Sequence, residues 1–382
     1  MTQNVCRELT PIPVDHASNM ASAKMATRRH TEKFAFSNPA IQKRRYSPFD
    51  QNHLRCGKLT LPNRAQTSML YPRLISVDWG TTTLRCSLLA GDGSIIARRD
   101  GGPGIRTTPS LGFAAVLAGE LSQWHASHGP LPCLMSGMIG SRQGWAEVPY
   151  LTCPAKASSL AQHLHRIETD FPCPIYIVPG LAIDNPNHPP EVMRGEETQI
   201  LGALSSAQAP TAETARLFVL PGTHSKWVDT LGDTITNFTT YMTGEIFAAL
   251  RHHTILGGLM PAEPATYDAA AFSGGVTLGA TKGHPGDLLN RVFSTRTLGL
   301  FNRIAPSALE PYLSGVLIGA EIAAAAPSGG GLTIVGNSML SRLYEQAAEH
   351  LGMAASTAPP DCAARGHWVI ALASGLVKTT TP

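Results

Sequence analysis

Charged residues are scarce in this 382-residue chain, 15% in all, and aromatic ones scarcer at 6%, while hydrophobic residues reach 43%. A chain so composed can bury a sizeable core, which excludes disorder along its whole length. There is no CxxC pair. The seven cysteines, at positions 6, 56, 86, 133, 153, 173 and 362, are odd in number and lack ligand-like spacing, so neither a disulfide framework nor a zinc site is expected. A reducing cytoplasm is the simplest home. Long hydrophobic runs are missing too. The longest, LSGVLIGAEIAAAA from Leu313 to Ala326, contains Glu321 and is too short for a membrane span, so it reads as a buried helix. Residues 1–30 hold no apolar centre of the kind a secretory signal needs.

The net charge of +3 hides an asymmetry. Residues 1–70 hold 11 Lys/Arg against 4 Asp/Glu, a balance of +7, which leaves 19 against 23, or −4, for the remainder. That leader alternates polar, basic and proline residues without periodicity. It reads as a disordered tail, or as sequence upstream of a start at Met69; a nucleic-acid-contacting arm and a transit peptide are the other readings, the latter opposed by Glu8, Asp15 and Glu32. Neither nucleic acid nor membrane is an expected partner, and a homodimer is allowed.

Beyond the leader a pattern occurs twice. LISVDWG reads as a strand, TTTLRCSLLA as a second, GDG as a hairpin turn, SIIARRD as a third, then a helix from Ser110 as N-cap to about His128, with Gly129 past its end, and LPCLMSGMIG as a further strand. From Arg216 the succession recurs: RLFVLPG, HSKWVDT, a turn at LGDT, ITNFTTYMTG, and the helix EIFAALRHHTIL. Two matched units predict two similar domains facing each other. The first strand of one ends in DWGT, that of the other in PGTH. An acid followed by small residues with backbone and hydroxyl donors suits approach to a metal-bound phosphate, though hairpin turns use similar residues. If both loops point into the cleft, each can hold one end of a polyphosphate.

The last third offers a strand Leu332–Val335, a turn at Gly336, and a helix with Ser338 as N-cap that runs to Gly352. A glycine-initiated strand-to-helix turn lets a flat ligand lie against the backbone, and a helix N-terminus favours negative charge. Gly315 and Gly319 fall four apart on one helix face, the spacing of a close helix crossing.

With these motifs in order, DWGTTTLR, MSGMIGSRQGW followed by PYL, VMRGEETQ, PGTHSKWV, MTGE and SGVLIGAE, the chain from Leu74 onward resembles the 2-dehydro-3-deoxygalactonokinase family, of the sugar kinase, Hsp70 and actin superfamily. The resemblance implies an α/β fold of duplicated ribonuclease H-like βββαβ domains with an interdomain cleft. It implies ATP and Mg²⁺, and transfer of the γ-phosphoryl group to the 6-hydroxyl of 2-dehydro-3-deoxy-galactonate, a small sugar acid. The lobes would be 71–210 on the substrate side, with the first phosphate loop, and 211–382 on the nucleotide side.

Phosphoryl transfer asks a protein mostly for positioning and charge neutralisation. Asp78 is the expected Mg²⁺ residue. Gly80, Thr81 and Thr82, and across from them Gly222, Thr223 and His224, are expected at the phosphates, with Lys226 either reaching a phosphate or solvated on its strand; Gly336, Asn337 and Ser338 are expected at the nucleotide. The attacking hydroxyl needs a base or orienting acceptor, for which Glu196, Glu197 and Asp184 are the candidates. One of the two adjacent glutamates can serve the helix dipole alone. The substrate carboxylate calls for an arginine, Arg194 first, then Arg142 and Arg296. Ser136, Gly137 and Trp145 in the glycine-rich segment, and Glu245 in MTGE, complete the expected substrate contacts, Trp145 with a core role as its alternative. The rivals are a kinase of another sugar or sugar acid, a sugar-sensing regulator, which should carry a helix-turn-helix signature, and a purely structural ATPase.

Overall fold

A computed structural model of the chain describes residues 71–206, 214–263, 266–284, 286–326, 331–336 and 339–378. The expectations for the leader, and for Asn337 and Ser338, lie outside the described residues.

Strand β1 (Pro72–Trp79) is the centre of the first unit because both its faces are covered: Leu74, Ile75, Val77 and Trp79 have no exposed surface. It pairs antiparallel with β2 (Thr83–Ala90), which pairs with β3 (Ile95–Pro103). The expected helix follows, but it begins at Phe113. Pro109 and the left-handed Gly112 (φ 80°) confine the preceding residues to a single 3₁₀ turn, Thr108–Ser110, so Ser110 is not its cap. Helix α1 (Phe113–His128) ends at Gly129 as read from the sequence. Strand β4 (Cys133–Ser136) is parallel to β1 and stops at Gly137, where φ of +92° turns the chain into a 3₁₀ turn at Met138–Gly140.

Next come β5 (Leu151–Thr152), α2 (Ala157–Gln162), β6 (His165–Ile167), β7 (Ile175–Ile177), β8 (Leu181–Ile183), β9 (Glu191–Met193) and α3 (Glu196–Ser206). The first sheet runs β3-β2-β1-β4-β7-β6, and β5, β8 and β9 form a small sheet beside it.

The second unit repeats the plan. It comprises β10 (Ala215–Leu220), β11 (Ser225–Leu231), β12 (Thr234–Tyr241), α4 (Thr243–His253), α5 (Ala269–Gly279), α6 (Asp287–Leu300), α7 (Leu309–Ala325), β13 (Leu332–Ile334), α8 (Met339–His350), β14 (Ala355–Thr357) and α9 (Cys362–Ala373). Its sheet runs β12-β11-β10-β13-β14, so the antiparallel triplet followed by parallel strands recurs. Among the described residues, the first unit has one α-helix before its fourth strand and the second has four.

The run from Leu313 lies in α7, which crosses α5 with no room for side chains at the contact. A methyl group on Gly315 would come within 2.1 Å of the Phe272 carbonyl oxygen, and one on Gly319 within 2.4 Å of that of Val276. Leu309, Leu313 and Val316 on α7 are fully buried. The last helix does not stay with the second sheet: α9 packs on α3 and against β1 and β4 of the first, so the first sheet's layer is completed by residues far beyond 210. One apolar cluster, from Leu74 and Leu134 through Leu201 and Ile370 to Phe218 and Phe238, runs through both sheets with α3 and α9 in it. This shared core holds the two strand-end loops on one body.

Candidate active site

Asp78 stands at the last turn of β1, in register with Arg85 on β2 and Ser136 on β4. Its side chain is 20% exposed and its Oδ2 lies 3.4 Å from Arg85 Nη1. Burial pushes the Asp78 carboxyl above its ordinary range, and the Arg85 guanidinium partly offsets this. Two glycine-bearing turns, at Gly137 and Gly195, meet beside it. A side chain on Gly137 would strike the Trp79 carbonyl at 2.8 Å and approach Asp78 Oδ1 at 3.5 Å, and one on Gly195 (φ +111°) would reach the Gly137 Cα at 3.1 Å. The end of β4 and the start of α3 are thereby pressed against the end of β1.

That contact brings α3's glutamates to Asp78, and it treats them differently. Glu197 is fully buried; its Oε2 accepts from the Gly195 N–H at 2.7 Å and its Oε1 from the Thr198 hydroxyl at 2.9 Å. Burial, reinforced by the neighbouring Glu196 charge, pushes its carboxyl up to about 8. Both oxygens are spent on the helix start, a local cap. Glu196 is half-buried, and one oxygen, Oε2, accepts from the Arg194 N–H at 2.9 Å. Its carboxyl too is raised by burial, while Lys226 pulls it down and the charge of Asp78 pushes it up.

Lys226 is neither solvated nor free. Its ammonium donates to the Val192 carbonyl on β9 and to Thr240 Oγ1, both at 2.8 Å, tying the second sheet to the small sheet. Asp184 is exposed just past β8.

In the first loop Gly80, Thr81 and Thr82 turn between β1 and β2. A segment that sequence reading passed over, Gly104–Arg106, braces this loop from below. The N–H groups of Gly104, Ile105 and Arg106 donate to the carbonyls of Thr82, Gly80 and Thr81 at 3.2, 3.0 and 3.2 Å. A methyl on Gly104 would sit 2.3 Å from the Thr82 carbonyl carbon, so only glycine fits under the loop. Its signal in the sequence was the GGPG run, with a glycine directly after Pro103 at a strand end. Among the described residues nothing accepts from the N–H of Thr81 or Thr82. The Trp79 ring is pinned by its Nε1 to the Pro103 carbonyl at 3.0 Å and meets Phe113 edge-on, and Phe113 stacks on Trp145. Trp145 thus belongs to the packed layer beneath the loop, the role its alternative reading gave it.

In the second loop Thr223 and His224 are exposed. The loop folds onto the start of α4: Glu245 donates its N–H to the Thr223 carbonyl at 3.0 Å, and its carboxylate meets His224 Nε2 at 2.6 Å. Gly244 permits this, since a methyl there would overlap the Gly222 carbonyl oxygen at 2.4 Å. Behind the loop, Ser225 Oγ and Tyr344 OH are 2.8 Å apart, and Glu321 accepts from Tyr344 OH and from Trp227 Nε1, both at 2.7 Å. This buried carboxylate in α7 was read only as an interruption of an apolar run.

A cavity of about 390 Å³ opens between the two sheets, with Asp78, Arg85 and Asp100 on one wall and Gly336, Pro360 and Asp361 on the other. Neither strand-end loop lines it: Gly80, Thr81 and Thr82, and Gly222, Thr223 and His224, are absent from its walls. Three residues beyond Gly336, Met339 enters a second, mainly apolar recess of about 300 Å³, walled also by Phe247, Tyr267, Leu317, Leu340 and Tyr344.

The expected carboxylate-binding arginines are not gathered. Arg194 is buried over the Tyr150 ring, 4.2 Å from its centroid, with Nη2 donating to the Val148 carbonyl and Nε and Nη1 sealed without partners. A ligand has no path to that guanidinium in this conformation. Arg142 is paired with Glu147 on the surface at 3.3 Å, and Arg296, on α6, donates to the Ile255 carbonyl at 3.1 Å. Ser136 is fully buried, and among the described residues its hydroxyl has no hydrogen-bond partner.

A strand order that recurs, with an acid near the end of the first strand of one unit and a glycine turn after the first strand of the other, defines the sugar kinase, Hsp70 and actin class, built on duplicated ribonuclease H-like domains. Within that class the chain belongs to the 2-keto-3-deoxy-galactonokinase family, whose model matches residues 78–370. It is 39% identical over 296 residues to a protein of Rhizobium meliloti (strain 1021) named as a 2-dehydro-3-deoxygalactonokinase, covering 76% of this chain and 93% of that one. The 2-dehydro-3-deoxygalactonokinase of Escherichia coli (strain K12) is 35% identical over 284 residues, 73% of this chain and 90% of that one. A crystal structure from Sinorhizobium meliloti titled for the same kinase superposes with a TM-score of 0.72 at 38% identity, over 78% of this chain and 98% of that one.

Proposed function

We propose that the protein transfers the γ-phosphoryl group of ATP to the 6-hydroxyl of 2-dehydro-3-deoxy-D-galactonate, giving 2-dehydro-3-deoxy-6-phosphogalactonate and ADP. The observation that carries the site assignment is the Gly137–Gly195 contact, which presses the start of α3, with Glu196, against the end of β1, with Asp78 also on the wall of the cavity that reaches Gly336.

In this reading the first loop and the second loop hold the triphosphate from opposite sides, with Thr81 and Thr82 offering unspent N–H donors. The apolar recess beside Met339 and Tyr267 suits the base. Glu196 takes the proton of the 6-hydroxyl as its oxygen bonds to the γ-phosphorus; the bond to the bridging oxygen breaks, and its electron pair leaves on ADP. A base whose carboxyl is raised by burial lies closer to working pH. Lys226, fixed between β9 and β12, partly offsets that rise.

Among the described residues no three acids, histidines or cysteines gather as a metal cage. Mg²⁺ needs none, because it keeps several waters and takes further ligands from phosphate oxygens. Asp78, an acid at a strand end on the cavity wall, fits it, and when bound the ion would neutralise charge on the β- and γ-phosphates. Glu197 is then a structural cap and Glu196 the reacting acid. The test is a panel of sugar acids and neutral sugars with ATP, the phosphorylated carbon located by NMR. Phosphate on carbon 6 of 2-dehydro-3-deoxy-D-galactonate is the expected result; turnover of other sugars alone would refute it.

A further inference from the structure

Arg194 is buried, Arg142 is paired with Glu147 and Arg296 is tied to the Ile255 carbonyl, and the first unit holds a further arginine beside the phosphate loop. Arg106 is exposed, and its own N–H is bonded to the Thr81 carbonyl at 3.2 Å, so its backbone is fixed to the loop. It lines a recess of about 440 Å³ together with Thr81, Ile105, Pro109, Met138 and Gln143. The three segments that make this recess are the first loop, the brace beneath it and the turn after β4. Met138 follows Gly137, which touches the Asp78 side of the site.

The recess has one formal charge among its walls, and it is positive. Among the described residues no carboxylate or carbonyl accepts from the Arg106 guanidinium. The remaining walls divide by chemistry: Thr81 and Gln143 offer hydrogen bonds, whereas Ile105, Pro109 and Met138 are apolar. A 2-keto-3-deoxy acid presents the matching sequence of groups, an anion and a carbonyl at one end, a bare methylene next, and hydroxyls beyond. The planar five-donor fork of arginine suits a carboxylate better than a lysine would.

Resting on the kinase reading above, we propose that this recess takes the carboxylate end of the sugar acid, that Arg106 is its cation, and that this pairing selects acids over neutral sugars. The 6-hydroxyl, at the substrate's other end, is then directed toward Asp78 and Glu196.

The experiment compares wild type, Arg106→Gln and Arg106→Lys in ADP-release assays with 2-dehydro-3-deoxy-D-galactonate and with its neutral C1 amide. Loss of one charge-assisted pair should raise the KM for the acid about 10- to 100-fold in Arg106→Gln. The KM for ATP should hold, the amide should be used equally by both proteins, and Arg106→Lys should recover part of the loss. An unchanged KM for the acid in Arg106→Gln, with wild type active, overturns this assignment and leaves the kinase reading standing. A raised KM for ATP alone would move Arg106 to the triphosphate and overturn it too. Wild type that releases no ADP with the acid sinks the kinase reading, and this proposal with it. Should the Gln variant melt earlier, the acid-to-amide ratio still decides, because a merely structural role lowers both rates alike.

Discussion

Replacing Glu196 by glutamine separates its chemical role from its structural one. Among the described residues, Glu196 Oε2 accepts from the Arg194 N–H at 2.9 Å. The glutamine carbonyl can accept the same bond, so the lost stability should be at most about 1 kcal/mol, the net worth of such a bond. What glutamine cannot do is take a proton. Removal of a positioned general base lowers turnover roughly 10²- to 10⁴-fold, so kcat should fall by that factor while the melting temperature and the KM for ATP hold. The pH profile adds a second readout. Burial holds the Glu196 carboxyl above its ordinary range, so wild-type kcat/KM should fall as pH drops and the acid takes up its proton. In the variant that acid limb should vanish. Stopped-flow or coupled measurement of ADP, alongside thermal melting, reads all of this. Wild-type turnover in Glu196→Gln, or loss of turnover accompanied by a large drop in melting temperature, would refute the assignment.

Glu197 should behave in the opposite way. Its folded carboxyl is raised to about 8 against an unfolded value near 4.5, so the folded state binds the extra proton between these values and stability falls as pH rises through that window. Glu197→Gln, which mimics the protonated acid, should match wild type in melting temperature at pH 4.5 and exceed it at pH 8.5; parallel curves would count against this. Glu321→Ala should cost several kcal/mol by chemical denaturation, since Trp227 Nε1 and the Tyr344 hydroxyl lose their acceptor in a buried network, about 1–3 kcal/mol for each unsatisfied group; a change below about 0.5 kcal/mol would deny the network its role. Gly366→Ala should destabilise by about 1–3 kcal/mol through overpacking, because the new methyl would lie 1.8 Å from the Thr198 carbonyl oxygen where α9 crosses α3, and an unaffected melting curve would contradict the crossing.

The architecture was largely legible because both units advertise it in period-two strands and short turns. The repeated triplet, the ends of its first strands, and the close crossing at Gly315 and Gly319 all follow from local chemistry. The helix expected at Ser110 starts later because Gly112 takes a left-handed conformation that no residue pattern announces. Long-range pairing was less legible still. That α9 returns to the first sheet depends on glycines at 202 and 366 fitting against backbone far away in sequence, information carried only by the packed fold. At the site, adjacency in sequence made Glu196 and Glu197 look alike, and only the burial of one and the single spent oxygen of the other distinguish them. Arg194 sat inside a motif and drew the carboxylate assignment. Its guanidinium is packed over Tyr150, whereas Arg106 carries no motif and stands in the open recess.

The reaction is assigned to Asp78 more than to any other side chain, because phosphate, metal and hydroxyl must all meet at the end of β1. The most direct measurement is ADP formation by purified protein with Mg²⁺-ATP and 2-dehydro-3-deoxy-D-galactonate, for wild type and Asp78→Asn in parallel. Sugar-acid-dependent ADP release in wild type, reduced at least about 10²-fold in the variant as removal of a key charge-stabilising group does, is the result this account predicts; equal rates in a variant that folds normally would contradict it.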